Sequence, residues 1–154
     1  MEFTDIAMEL SKEAWQASFH HPFVLQLQEG TLEPSIFRYY LIQDAYYLKS
    51  FSEAYHLLAD KTSNEEMKRL LKQNAQSLVE GELFIRQQFF KELGISDQEM
   101  DEQPIAPTCY HYISHIYRQF AESNLGIAFA SLLPCPWLYH DLGKELNRKP
   151  SPNP

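Results

Sequence analysis

Apolar residues recur at three- and four-residue steps along most of this 154-residue chain, and no segment alternates as a half-buried strand does. A first helix is predicted from Asp5 to about Ser18, with Ile6, Leu10, Ala14 and Ala17 on one face. Pro22 can start a second, short helix that Gly30 ends, because proline suits a first helical turn and glycine the left-handed residue after a last one. A third begins near Pro34 and carries Phe37, Tyr40, Leu41, Leu48, Phe51, Tyr55 and Leu58 as one long inward stripe, ending near Lys61. Ser63 and Glu66 then read as the capping box of a fourth helix. Its stripe of Met67, Leu70, Leu71, Leu78, Ile85, Phe89 and Leu93 stops at Gly94.

The pattern is lost from Ile95 to Pro107 among acidic residues and prolines, which predicts a surface loop. Thr108 is the expected cap of a fifth helix bearing Tyr112, Ile116 and Phe120. A sixth helical segment, from about Asn124 to Leu146, sets Leu125, Ala128, Leu132, Cys135, Tyr139, Leu142 and Leu146 on one rhythm. Pro134 and Pro136 remove backbone donors there, so this segment must kink or restart around Cys135. The tail from Lys149 to Pro154 alternates proline with polar residues and is not helical. The expected organisation is one helical domain over 1–148 followed by that tail.

Composition narrows what such a helical domain can do. With 44% hydrophobic residues the chain can build a sizeable core. A net charge of −8 argues against nucleic acid, whose phosphates would be repelled. No apolar run is long enough to span a bilayer, and Met1 to Leu10 lacks the basic start and apolar core of a signal peptide, so the expected compartment is the cytoplasm. The two cysteines, Cys109 and Cys135, have neither the density of a disulfide scaffold nor zinc spacing, and each is expected as a free thiol. Aromatic residues make up 14% of the chain, a content that suits a pocket gripping a flat ring and suits an ordinary core equally well.

Two residues look misplaced for a core. Asp44 falls where the stripe through Phe37, Tyr40, Tyr47, Phe51 and Tyr55 demands an apolar side chain. A buried carboxylate needs a charge or hydrogen-bond partner, and Tyr47, one turn along, is a candidate. A structural carboxylate satisfied by nearby backbone fits the position as well as a functional one does. Cys135 lies beside two prolines at the start of the restarted helix, where free N–H groups and the helix dipole favour a thiolate. The competing reading is an inert buried cysteine. Cys109 lacks such a setting and reads as packing or surface.

Metal readings are weaker. Glu53 and His56 form one Glu-x-x-His pair, half of a di-iron carboxylate signature, but the second pair is missing and both fall beside the inward stripe. His111 and His115 stand one turn apart without a third ligand at the right spacing. No metal is expected. His20, His21 and His140 read as surface histidines at helix ends or near charged residues.

The segments HPFVLQLQEGTLEPSIFRYYLIQDAYYLKSF, PTCYHYISHIY and ASLLPCPWLYHDLG resemble the thiaminase II (TenA) family along almost the whole chain. The resemblance implies a heme-oxygenase-like all-α bundle, usually tetrameric, without a cofactor. It further implies Cys135 as nucleophile, Tyr47 as its support, Asp44 as the residue that binds an aminopyrimidine, and Tyr112 and Tyr139 as pocket residues. The implied reaction releases ammonia from 4-amino-5-aminomethyl-2-methylpyrimidine, or the thiazole from thiamin, and leaves the hydroxymethyl pyrimidine, a step of thiamin salvage. The thiolate would add to the ring so that the 5-substituent departs; water would then add to the exocyclic methylene and expel the cysteine.

Two features depart from the family pattern. Pro136 follows the cysteine where relatives more often have a residue with a free N–H. Family members also continue with further helices that carry another pocket tyrosine and a proton-donor glutamate, so this chain is expected to be C-terminally incomplete and to lack that acid. The alternative function is therefore a noncatalytic aminopyrimidine-binding or interaction module.

Overall fold

A computed structural model describes residues 2–148 and 152, and all regular structure among them is helical. The expected non-helical tail lies outside the described residues, Pro152 apart. The helices are α1 (Phe3–Phe19), α2 (Pro22–Glu29), α3 (Pro34–Lys61), α4 (Glu65–Ser77), a π-helical segment (Leu78–Leu83), α5 (Phe84–Leu93), α6 (Asp97–Glu102), α7 (Pro107–Glu122), α8 (Leu125–Leu132) and α9 (Pro134–Leu146). They fall into two compact units. One contains residues 34–133 and the other residues 1–33 with 134–154.

The larger unit is organised around α3, which touches α4, the π segment, α5, α7 and α8. It buries Leu41, Leu48, Phe51, Tyr55 and Leu58 of the predicted stripe, together with Ile42, Ala54 and Ala59, while Phe37 and Tyr40 at its start are only partly covered. Leu41 and Ile42 pack with Ile95, surrounded by Phe37, Tyr40, Phe89, Phe90 and Leu93. Side chains on α3 also tie down helix ends elsewhere in the unit. Arg38 donates to the Leu93 carbonyl at the end of α5 and pairs with Glu99 of α6 at 2.5 Å. Lys61 donates to the Phe120 carbonyl near the end of α7. Such contacts satisfy carbonyls that a helix terminus leaves without intrahelical partners.

Several predicted boundaries shift for identifiable reasons. The expected cap Ser63 is displaced by Asn64, whose Oδ1 accepts from Met67 N at 2.9 Å; asparagine caps as well as serine and stands one residue closer to the first turn. The acidic loop contains the short helix α6, capped by the Ser96 hydroxyl. Helix α7 begins at Pro107 with Ala106 before it, so Thr108 lies inside the first turn and is not the cap.

The predicted fourth helix is interrupted by the π segment, whose wider turn shifts which residues face inward directly after it, while Phe89 and Leu93 still reach the core. Ile85 therefore turns outward, 44% exposed, and Arg86 takes the inward position. Met67 and Leu70, expected on the inward stripe, are exposed as well, because Leu71 and Ala75 hold the buried face of α4.

In the smaller unit α1 contacts α2. Its expected face of Ile6, Leu10, Ala14 and Ala17 is exposed, and the partly covered side carries Ala7, Met8, Ser11, Trp15 and Phe19. Trp15 decides this orientation. Its ring meets Trp137 edge-on at 5.5 Å, and its indole N–H donates to Asp141 of α9 at 3.3 Å. At Gly30 the chain leaves α2 with φ 72°, the left-handed conformation that glycine adopts without a steric penalty.

The sixth segment restarts as expected. Helix α8 ends at Leu132, and α9 begins at Pro134. Pro134 and Pro136 fall in the first turn of α9, where missing N–H donors forfeit no intrahelical bond.

Candidate functional site

The larger unit gathers three of the five predicted site residues, Asp44 and Tyr47 on α3 and Tyr112 on α7. Asp44 lies in the most buried stretch of α3, between Leu41 and Leu48, and is 8% exposed. The partner shown for its carboxylate is Arg86, whose Nε donates to Oδ2 at 2.5 Å. Burial pushes the Asp44 carboxyl above its ordinary value; Arg86 opposes the rise through its charge and hydrogen bond, and Glu82 adds to it. For Arg86 burial acts downward, and the carboxylate outweighs it, so the guanidinium stays charged.

Beside the carboxylate stands an aromatic wall. Tyr47 stacks on Tyr112 with centroids 5.7 Å apart and planes 14° from parallel, and on its other neighbour Phe51 at 5.2 Å. Tyr47, Phe51 and Ala54 pack against Ile113, Ile116 and Tyr117 where α3 meets α7, with no room between them for a water. A carboxylate can accept the N–H of a flat heterocycle that bears an amino group, and a neighbouring aromatic side chain can contact that heterocycle's ring.

Gln43, next to Asp44 and 7% exposed, fixes the approach to α7. Its amide donates to the Pro104 carbonyl at 3.0 Å and accepts from Ala106 N at 2.7 Å. The Cys109 thiol lies 3.6 Å from the Gln43 carbonyl. Burial, then the negative charge of Asp44, pushes that thiol above its ordinary value, which makes it a poor nucleophile at neutral pH.

Cys135 and Tyr139 belong to the smaller unit, on α9. Cys135 is the second residue of that helix, half-buried and in no disulfide; Tyr139, one turn later, is 53% exposed. The position at a helix start agrees with the sequence reading.

Two participants escaped that reading. Arg86 follows an isoleucine that α-helical counting places inward, and only the π turn brings the guanidinium to Asp44. The available signal was the Glu82 and Arg86 pair straddling the stripe, 3.7 Å apart here. Gln43 was missed because a glutamine beside a stripe resembles a solvated residue until the loop it clamps is known. Glu53, His56, His111 and His115 are all exposed, and Glu53 accepts from the Tyr117 hydroxyl at 3.3 Å. Among the described residues no three His, Cys, Asp or Glu side chains gather in a metal-binding arrangement. No helix there is long and apolar enough to cross a membrane.

Fold and site thus define an all-α protein that keeps a charge-paired carboxylate beside stacked tyrosines. Residues 10–154 match the TENA/THI-4/PQQC family, and the chain belongs to it. It is 35% identical over 146 residues to a Bacillus subtilis protein named aminopyrimidine aminohydrolase, covering 95% of this chain and 62% of the relative. A Staphylococcus epidermidis protein of the same name is 30% identical, with 95% of this chain and 68% of the relative covered. The chain therefore spans about two thirds of the length of these relatives. Among solved structures, a TenA family transcription regulator from Silicibacter sp. TM1040 superposes with a TM-score of 0.89 at 26% identity, over 96% of this chain and 66% of that one. A TenA homologue from P. horikoshii OT3 gives 0.87 at 26% identity, over 97% and 70%.

Proposed function

We propose that the protein is an aminopyrimidine aminohydrolase of the thiaminase II type, hydrolysing 4-amino-5-aminomethyl-2-methylpyrimidine, and thiamin, to 4-amino-5-hydroxymethyl-2-methylpyrimidine. The observation that carries the reading is a buried, charge-paired carboxylate at Asp44 beside the stacked rings of Tyr47 and Tyr112. It is reinforced by the 35% identity to a relative that bears this activity in its name.

Asp44 accepts the N–H of the 4-amino group, and Tyr112 and Tyr139 contact the ring. Cys135, in the first turn of α9, is the nucleophile, with Tyr47 supporting it. Its thiolate adds to C6 of the pyrimidine, the bond from the C5 methylene to its nitrogen breaks so that the amine leaves as ammonia or as the thiazole, water adds to the exocyclic methylene that remains, and the thiolate is expelled. One displacement becomes two easier steps, and the net change is substrate plus water giving the hydroxymethyl pyrimidine plus amine. The physiological setting is thiamin salvage in the cytoplasm by a homo-oligomer. No metal or cofactor enters these steps.

The test is incubation with each substrate and chromatographic detection of the hydroxymethyl pyrimidine, beside Cys135→Ser. Product that vanishes in the variant supports cysteine catalysis. Ligand-dependent thermal stabilisation without product overturns it and leaves a binding module.

A further inference from the structure

Counting α-helical turns from Leu71 and Ala75 carries the buried face of α4 through Leu78 to Ile85. The π segment Leu78–Leu83 breaks that count, leaving Ile85 exposed and turning Arg86 in to Asp44. The exchange is not explained by stability. π turns are rare and tend to occur at functional sites, and a buried ion pair is often no more stabilising than apolar residues of similar volume. A local distortion that gives up an inward isoleucine to deliver one guanidinium to one carboxylate points to what that carboxylate does.

We propose that Arg86 is the positioning residue for Asp44: its Nε, bound to Oδ2, holds the carboxylate ionised and turned so that Oδ1 receives the amino group of the ligand. The inference deepens the aminopyrimidine reading and rests on it for the ligand's identity. Arg86 is itself steadied by Glu82, one turn back, whose carboxylate lies 3.7 Å from its Nη2. The other titratable groups whose fields reach this pair are Tyr40 on α3, felt by Arg86, and Cys109 on α7, which feels Asp44.

The direction of the pH effect follows from the balance at Asp44. Burial favours the protonated form, which cannot accept through both oxygens, and Arg86 is the group that opposes it. Removing the guanidinium raises the pH at which Asp44 loses its proton. Ligand binding that needs the carboxylate then weakens on acidification from a higher pH than in the unaltered protein.

The experiment compares the 154-residue chain with Arg86→Gln, Arg86→Lys and a deletion of Gly81, which shortens the π segment by one residue. The Asp44 carboxyl is titrated by carbon NMR with labelled aspartate, and the resonance is assigned through Asp44→Asn. Steady-state turnover of 4-amino-5-aminomethyl-2-methylpyrimidine is measured from acid to neutral pH. Expected are an upward shift of the Asp44 titration in Arg86→Gln, partial recovery in Arg86→Lys, and a KM raised about tenfold or more with a smaller change in kcat. The Gly81 deletion should reproduce the Arg86→Gln titration, because it turns Ile85 inward. An Asp44 titration unmoved in Arg86→Gln overturns the proposal, as does a KM unchanged in Arg86→Gln where the unaltered protein turns substrate over. Absence of both turnover and binding in the wild type overturns the aminopyrimidine reading instead, while the titration still decides whether Arg86 sets the charge of Asp44. Should Arg86→Gln not fold, Arg86→Lys and the deletion read the same two quantities.

Discussion

Helices α1 and α3 carry apolar stripes of similar regularity, yet α3 buries 11 of its 28 residues and α1 buries none of its 17. Periodicity is a statement about which side chains share a face, and it holds for both. Whether that face is covered depends on what else the chain brings to it. Around α3 stand α4, the π segment, α5, α7 and α8. On α1 the covered side is set by one large residue, Trp15, through its contacts with Trp137 and Asp141, and the stripe of Ile6 and Leu10 is left in solvent.

Truncating the most buried part of α3 has the largest expected effect. Leu58 is fully buried, so Leu58→Ala gives up its transfer energy and leaves a cavity, at a cost of about 2–5 kcal/mol measured by urea unfolding. A cost below about 1 kcal/mol would mean that the unit collapses around the gap, and the contrast with α1 would lose its energetic meaning.

Gln43→Ala tests the polar side of the same helix. It strands the Pro104 carbonyl and the Ala106 N–H that the amide now serves. The expected loss is about 1–3 kcal/mol, and Gln43→Glu, which keeps only the acceptor, should lose the donor half of the clamp. Hydrogen exchange at Ala106 reads the second effect directly: it should accelerate in Gln43→Ala and stay slow in Gln43→Glu.

These residues show how far the sequence could be read. Helix α3, its inward stripe and the oddity of Asp44 were legible because each follows from three- and four-residue spacing alone. The restart at α9 was legible because proline lacks a donor. Arg86 was not, since a π turn leaves no periodic mark of its own and an α-helical count passes through it to Ile85. The outward face of α1 was missed because leucine and isoleucine outweigh serine in any count of hydrophobicity, while here Ser11 folds its hydroxyl back onto the Ala7 carbonyl, at 2.7 Å, and sits on the covered side. Helix α6 was missed because five acidic and polar residues around the single apolar Met100 have no apolar rhythm to detect; its Ser96 cap was an available sign.

Caps give a smaller effect. Asn64→Ala removes the acceptor for Met67 N and should destabilise by about 1 kcal/mol, whereas Ser63→Ala, outside the helix, should change stability by less than about 0.5 kcal/mol. The reverse ranking would return the cap to the serine that the sequence pattern favours.

The smallest change is expected on α1. Leu10 is 84% exposed, so replacing it with alanine forfeits almost no buried surface, and alanine is at least as good a helix former. Leu10→Ala should therefore shift unfolding by less than about 0.5 kcal/mol in dilute solution, against the several kcal/mol expected at Leu58. The comparison is sharpest if the measurement is repeated at rising protein concentration. A Leu10→Ala cost that stays small at every concentration means that the stripe on α1 is solvated in the free protein. A cost that grows with concentration means that a second copy covers it, and α1 then differs from α3 in what buries it and not in whether it is buried.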